Sequence, residues 1–182
     1  MIFDRNEKKQ VVALLGAGSM GTAIVRRIGS GKKILLGDIS ENALERVGED
    51  FRRCGYDVET LVVNALQKDS VKAFARKAAE LGPVMYFIDT AGASPNQAKP
   101  EHIVDLDMVG TGYAVDAFGE VMAEGGAGLI ISSQAAYMYP IPNDIELQLV
   151  NTPTEGLKDV KFIQEVAMQN SGFAYMIAKR MN

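Results

Sequence analysis

The chain has 182 residues, of which 47% are hydrophobic and 23% charged, with a formal net charge of -4. That length suits one domain with a sizeable core, and the acidic balance offers no basic footprint for a nucleic acid. Cys54 is the one cysteine and His102 the one histidine, which excludes an internal disulfide, a CxxC-type cluster and a His-rich metal centre, so no metal site is expected.

The charged start, MIFDRNEKKQ, lacks the apolar core of a signal peptide. No apolar run is long enough to cross a bilayer, so a cytoplasmic protein with no membrane partner is the simplest expectation. VVALL (Val11–Leu15) reads as a buried strand stopped by Gly16, and TAIVRRI (Thr22–Ile28) follows with helical spacing until GSG breaks it. KILLG (Lys33–Gly37) is a second strand, and SENALERVGEDFRRC opens on Ser40, a good N-cap. VETLVV reads as the third strand. DSVKAFARKAAEL (Asp69–Leu81) is an amphipathic helix with Val71, Phe74, Ala78 and Leu81 on one face. VMYFI (Val84–Ile88) is the fourth strand, a long helix is expected over Glu101–Glu124, and GLIIS (Gly128–Ser132) is the fifth strand. Two more helices are expected, near Leu157–Gln169 and from Ser171. Alternation of this kind predicts crossover connections and a parallel sheet covered on both faces, an α/β fold with ligands outside the carboxyl ends of its strands.

At the first of those ends, LLGAGSMG places Gly16, Gly18 and Gly21 in a GxGxxG spacing between a strand and a helix. Gly16 permits the tight turn, Gly18 lets a pyrophosphate approach the backbone, and Gly21 lets helix and strand pack closely. Ser19 and Met20, between the glycines, join them as candidate cofactor-binding residues. The helix N-terminus supplies free N–H groups and a partial positive charge. Asp38 ends the second strand 17 residues past Gly21. An acid there can accept from both hydroxyls of an adenosine ribose and repels a 2′-phosphate, which favours NAD over NADP. The plainer alternative is an acid that only complements a helix macrodipole.

Further along, GPVMYFIDTAGAS (Gly82–Ser94) resembles the short-chain dehydrogenase/reductase family, whose fourth strand ends in Asn-Asn-Ala-Gly; Ala91 and Gly92 match it, while Asp89 and Thr90 do not. LVVNALQKDSVKAF is similar to the family's segment after strand three, with Asn64 where an Asp usually meets the adenine. IVDLDMVGTGYAVDAF resembles the helix carrying the family's catalytic Asn, and its matching residue is Asp107. GLIISSQAA resembles the fifth strand with its catalytic Ser, placed at Ser133, and YMIAK supplies Tyr-x-x-x-Lys as Tyr175 and Lys179, on one helix face. The resemblance implies a three-layer α/β/α Rossmann fold with a doubly wound parallel sheet, an NAD-dependent oxidoreductase interconverting an alcohol and a ketone or aldehyde, and a homodimer or homotetramer. Tyr175 is then the general acid/base, Lys179 favours its phenolate and bonds the nicotinamide ribose, and Ser133 holds the substrate oxygen.

Several features depart from the family. Leu15 replaces the Thr of the usual TGxxxGxG loop, and Asp107 puts a carboxylate where the relay has an amide. Tyr175 follows Ser133 by 42 residues, so residues 134–170 read as an inserted loop and helix segment, a lid over the substrate side or an altered subunit contact, whose NDIELQL has apolar points at Ile145, Leu147 and Leu149. In the family the YxxxK helix leads on to a sixth strand. A chain ending at Asn182 is therefore expected to be a single incomplete domain, 1–182, that lacks the C-terminal strands and holds Lys179 in a frayed last turn. A dinucleotide-binding protein without catalysis, or an inactive fragment of such an enzyme, is the alternative. A methyltransferase would use the glycine loop but leaves Ala91-Gly92, Ser133 and Tyr175–Lys179 unexplained.

Overall fold

The computed structural model describes residues 8–182. Its strands β1 (Val11–Leu15), β2 (Lys33–Asp38), β3 (Asp57–Val62), β4 (Val84–Asp89) and β5 (Met122–Ile130) form one parallel sheet in the order β3-β2-β1-β4-β5. β1 is central, and all five of its residues are buried. A strand apolar on both faces needs neighbours on both edges and helices above and below. From β1 the chain works outward to β3, then returns to the other side of β1 for β4 and β5. The order therefore reverses between β1 and β4, where diverging loops leave a crevice at the carboxyl ends.

The pleat of β1 sends alternate residues to two cores. Val12 and Leu14 pack with Val25 of α1 (Ser19–Ile28) and with Leu44, Val47 and Phe51 of α2 (Glu41–Arg53), whose Ser40 cap accepts the Ala43 N–H. Val11, Ala13 and Leu15 face α3 (Lys68–Leu81) and α5 (Thr111–Gly119) across Phe74, Phe87 and Phe118. The Phe87 and Phe118 rings stack with centroids 3.8 Å apart, and Phe74 meets Phe118 edge-on at 5.6 Å. Aromatic pairs of this kind add about 0.5–1.5 kcal/mol beyond their burial.

The expected helix over Glu101–Glu124 is corrected in two ways. It runs as α4 (Pro100–Ile103), a π-helical stretch (Val104–Gly110) and then α5, and it stops at Gly119. β5 already pairs Met122 with Val84, and the four residues before Ala127 bulge out because Ala127 pairs with Tyr86. The Gly125-Gly126 pair in that bulge disfavours helix, which the apolar spacing alone did not weigh.

Residues 134–170 are neither a loop nor a single helix. They form a 3-10 turn (Gln134–Tyr137), α6 (Asn143–Val150), a second 3-10 turn (Thr154–Asp159), α7 (Lys161–Glu165) and a third (Ala167–Gln169). NDIELQL is thus helical, with Asp144 and Glu146 in the first turn complementing the helix dipole. Of its three apolar points Leu149 is buried, Ile145 half-buried and Leu147 64% exposed. Leu149, Leu157, Val160 and Ile163 bury against Val104 and Met108 and against Ala174 and Ile177 of α8 (Ser171–Met181), making a third core beside the sheet. Thr154 seats on Gly112 and donates to Asp116 Oδ2 at 2.9 Å, so the segment also covers part of the outer face of α5.

That third core changes the picture of the last helix. Asn170 caps α8 by accepting the Phe173 N–H, Ser171 Oγ donates to the Ala98 carbonyl at 2.9 Å, and Arg180 Nε donates to Glu146 at 2.7 Å. Lys179 is 6% exposed, not frayed. The helix is docked at both ends.

Candidate active site

The crevice divides into two compartments. The first, about 320 Å³, is lined by Gly16, Gly18, Asp38, Asn64, Ala91 and Gly92, together with Ile39, Leu66 and His102. The second, about 310 Å³, is lined by Met20, Asp107, Ser132, Tyr175 and Lys179. Thr90 and Gly92 belong to both walls. They stand just past β4, beside β1, at the switch point.

The glycine loop shows why its residues are small. Gly16 has a φ of +89°, and a Cβ there would fall 2.6 Å from the Ala91 nitrogen. A Cβ on Gly21 would fall 2.6 Å from both Leu14 Cδ1 and Thr90 Oγ1, so α1 and β1 approach as closely as they do only without one. A Cβ added to Gly18 would meet nothing within 4 Å, so that side of the residue faces open space at the first turn of α1, where Ser19 stands. Thr90 ties the loop down, its hydroxyl donating to the Gly16 carbonyl at 2.7 Å and its N–H to the Leu15 carbonyl at 2.9 Å.

Asp38 ends β2 with each carboxylate oxygen accepting one backbone N–H at 2.8 Å, Ala17 on Oδ2 and Ser40 on Oδ1. Each oxygen keeps a further lone pair for another donor. Asn64 lies opposite, its Oδ1 accepting the Leu66 N–H at 3.0 Å. Exposed Ile39 and Leu66 supply flat apolar edges to the same compartment.

In the second compartment α8 brings Tyr175 and Lys179 together, with the ammonium 5.9 Å from the ring centroid. Lys179 Nζ donates to the Ile131 carbonyl at 2.9 Å, and Ser132 Oγ donates to the Lys179 carbonyl at 2.5 Å, so the exit of β5 and the end of α8 are stitched together. Asp107 projects from the π-helical stretch, a local widening that recurs at functional sites. Its Oδ1 accepts the Ala93 N–H at 2.7 Å, Oδ2 lies 3.6 Å from Lys179 Nζ, and Oδ2 is buried with no hydrogen-bond partner among the described residues. Burial pushes Asp107 up from its ordinary value, against the pull of Lys179 and the Ala93 N–H. Asp89 is pushed up to about 7, first by burial and in small part by Asp107, while the Ala91 N–H and Lys179 work the other way.

Ser133 is not among the residues lining either compartment; its Oγ accepts the Ala135 N–H at 3.2 Å and starts the 3-10 turn. Its neighbour Ser132 takes the place on the wall. No residue between Ser133 and Ser171 lines either compartment, so the 134–170 segment buttresses α8 instead of roofing the crevice. Thr90, Asp89, Ser132 and His102 escaped the sequence reading. The signal available for the first two was their position in the Ala-Gly motif, where they replace two asparagines.

Comparisons with known proteins bear on the fold and the family. The short chain dehydrogenase family profile matches residues 10–143. The short-chain dehydrogenase/reductase bsc3 of Alternaria brassicicola is 34% identical over 176 residues, 96% of this chain; the chain spans 64% of that relative's length. Among solved structures, a short-chain dehydrogenase/reductase from Serratia marcescens superposes with a TM-score of 0.69 at 16% identity, over 96% of this chain and 64% of its own. An actinorhodin polyketide ketoreductase with NADPH gives 0.61 at 18%, over 90% and 67%. Among the described residues no helix is long and apolar enough to cross a membrane. The sheet order, the two-compartment crevice and the family match lead to one conclusion: this chain belongs to the short-chain dehydrogenase/reductase family.

Proposed function

We propose that the chain binds a nicotinamide dinucleotide across both compartments and, as part of an oxidoreductase, interconverts an alcohol and a ketone or aldehyde. The observation that carries this reading is the crevice itself. Two compartments of about 320 and 310 Å³ meet at Thr90 and Gly92, with a glycine loop and Asp38 in one and Tyr175–Lys179 in the other. A two-part ligand fits a two-part crevice.

The open space at Gly18 and the N-terminus of α1, with Ser19 and Met20, suit a pyrophosphate. Asp38 accepts from the adenosine ribose hydroxyls, and its charge together with its two backbone anchors disfavours a 2′-phosphate, so NAD is the preferred form. Asn64, Ile39 and Leu66 take the adenine, and Ala91 and Gly92 let the ligand pass the backbone. When bound, the dinucleotide supplies or accepts the hydride. Tyr175 gives its phenolic proton to the substrate oxygen in reduction and takes it back in oxidation. Lys179, fixed by the Ile131 carbonyl and by Asp107, holds positive charge beside Tyr175. Ser133 remains the candidate to hold the substrate oxygen, with Ser132 on the wall as its rival, and separate alanine variants distinguish the two. A homo-oligomer stays part of the proposal, although Thr154 covers some of the α5 face at Gly112 and Asp116.

A second reading, dinucleotide binding without turnover, draws on the buried Asp107 carboxyl, whose Oδ2 has no hydrogen bond among the described residues. Tyr175→Phe separates the two in a longer version that carries the rest of the family's length. Loss of alcohol oxidation with cofactor affinity unchanged supports the oxidoreductase; turnover that survives the substitution overturns the role of Tyr175.

A further inference from the structure

The second compartment has a further wall, the turn that follows the Ala91-Gly92 pair. Ala93, Ser94 and Gln97 line the compartment from this side. The turn reads Ser94-Pro95-Asn96-Gln97, and proline presets the backbone angle that such a turn needs at its second position. The Gln97 N–H donates to the Ser94 carbonyl at 2.9 Å, and the Ser94 N–H donates back to Gln97 Oε1 at 2.8 Å. Both flanks are tied down. The Ala93 N–H donates to buried Asp107 at 2.7 Å, and Ser171 Oγ at the start of α8 donates to the Ala98 carbonyl at 2.9 Å.

Most polar side chains around the compartment are already engaged. The Thr90 hydroxyl donates to the Gly16 carbonyl and the Ser132 hydroxyl to the Lys179 carbonyl. The Lys179 ammonium donates to the Ile131 carbonyl and faces Asp107. The side-chain donors left without an acceptor among the described residues are the hydroxyls of Tyr175 and Ser94 and the NH2 group of Gln97. Tyr175 stands on α8 and Gln97 on the turn before α4, so two separate elements offer donors to one space. The Gln97 amide has a fixed sense, because its oxygen is taken by Ser94 and its nitrogen remains to donate. An amide held in this way loses less freedom on binding than a free one.

We propose that Gln97 is a specificity-determining residue whose side-chain NH2 donates to a second oxygen of the substrate. The site then prefers an alcohol or ketone that carries a further ether, hydroxyl or carbonyl oxygen over its hydrocarbon counterpart. This rests on the oxidoreductase reading of the same compartment. Tyr175 meets the reacting oxygen, Met20, Ala93 and Ile131 touch the carbon body, and Gln97 takes the second oxygen. Gln97 is exposed, so water competes for its NH2 group and the preference is moderate.

The test compares, in the longer version, each methoxycyclohexanone with the ethylcyclohexanone substituted at the same ring carbon. The two have nearly equal volume, and an ether oxygen accepts a hydrogen bond but cannot donate one. Gln97→Glu keeps an oxygen for the Ser94 N–H and loses the donor; Gln97→Leu loses both. The expected result is a kcat/KM ratio, methoxy over ethyl, that falls about three- to tenfold in both variants for at least one isomer. Turnover of the ethyl ketone should stay at the wild-type level in Gln97→Glu. A ratio that falls in one variant only means that Gln97 shapes the turn or that its replacement repels the ether, and overturns the proposal. A ratio unchanged in both also overturns it and leaves the oxidoreductase reading standing. Where no ketone is turned over, the Gln97 NH2 signal by NMR in the 182-residue chain decides, assigned with Gln97→Glu. A shift with the methoxy ketone and not with the ethyl ketone supports the contact and counts against the oxidoreductase reading alone. No shift with either overturns both.

Discussion

The two ends of one sheet treat charge in opposite ways. At the amino ends of β2 and β3, Lys33 bridges Asp57 at 2.9 Å and Glu59 at 2.8 Å, with Lys9 and Lys77 closing the network from outside. Hydrogen bonds from Lys9 and Lys33 hold Asp57 below its usual range, and those from Lys33 and Lys77 do the same for Glu59. At the carboxyl ends Asp89 and Asp107 are buried and pushed up; Asp107 pairs with Lys179 at 3.6 Å, and its Oδ2 has no hydrogen bond among the described residues. The amino end is a wet, saturated network, which contributes modestly to stability and asks for nothing more. The carboxyl end is unfinished, and unsatisfied buried polar groups cluster where a fold keeps room for a ligand.

The largest expected effect comes from removing the one cation at the unfinished end. Lys179→Met leaves Asp107 and Asp89 buried without a positive neighbour, which should cost about 3 kcal/mol or more in urea unfolding. It should also lower any turnover by roughly a hundredfold or more. Gly21→Ala comes next. Its Cβ must displace Leu14 or Thr90, an overpacking worth about 1–3 kcal/mol, and dinucleotide affinity should fall with it. Asp38→Ala releases the Ala17 and Ser40 N–H groups; a loss of about 1–2 kcal/mol in stability and a narrower preference for NADH over NADPH are expected, read by unfolding and by binding titration. The smallest effect belongs to the other end of the sheet. Lys33→Met should cost about 1 kcal/mol or less, since its partners Asp57 and Glu59 are 41% and 38% exposed and screened by solvent.

The same comparison predicts pH dependences of opposite sign. Asp57 and Glu59 are held low, so their contribution is present above the ordinary values of 3.8 and 4.5 and is lost as pH falls through the lower folded values. Asp89 is held high, so its contribution is complete below 3.8 and is lost as pH rises toward about 7. Unfolding midpoints across pH 3 to 8 should decline at both limits in the wild type and keep only the acid decline in Asp89→Asn. A wild type whose stability rises steadily from pH 4 to 7 would count against the buried proton.

Much of the sheet was legible because its signals are local. VVALL, KILLG and VMYFI are apolar runs bounded by glycine or a charge, and the GxGxxG spacing needs only six residues to be seen. What escaped depends on contacts between distant segments. Thr90 matters because its hydroxyl reaches Gly16 across the sheet. The Asp107–Lys179 pair escaped because it joins the π-helical stretch to α8, 72 residues further along the chain. Ser132 and Ser133 differ by one position at a strand exit, where a single step turns the side chain to another face, so the motif could not decide which of them lines the crevice. In the 134–170 segment short turns interrupt every period, and its role as a wall behind α8 emerges only from the packing of Leu149, Leu157 and Ile163.

The central claim is that this crevice holds a nicotinamide dinucleotide. Calorimetric titration of the 182-residue chain with NADH and then NADPH, with Gly21→Ala as the control, tests it most directly. The account predicts saturable NADH binding, much weaker NADPH binding, and loss of both in the variant. A folded wild-type chain that binds neither dinucleotide, or NADH binding that Gly21→Ala leaves untouched, would contradict it.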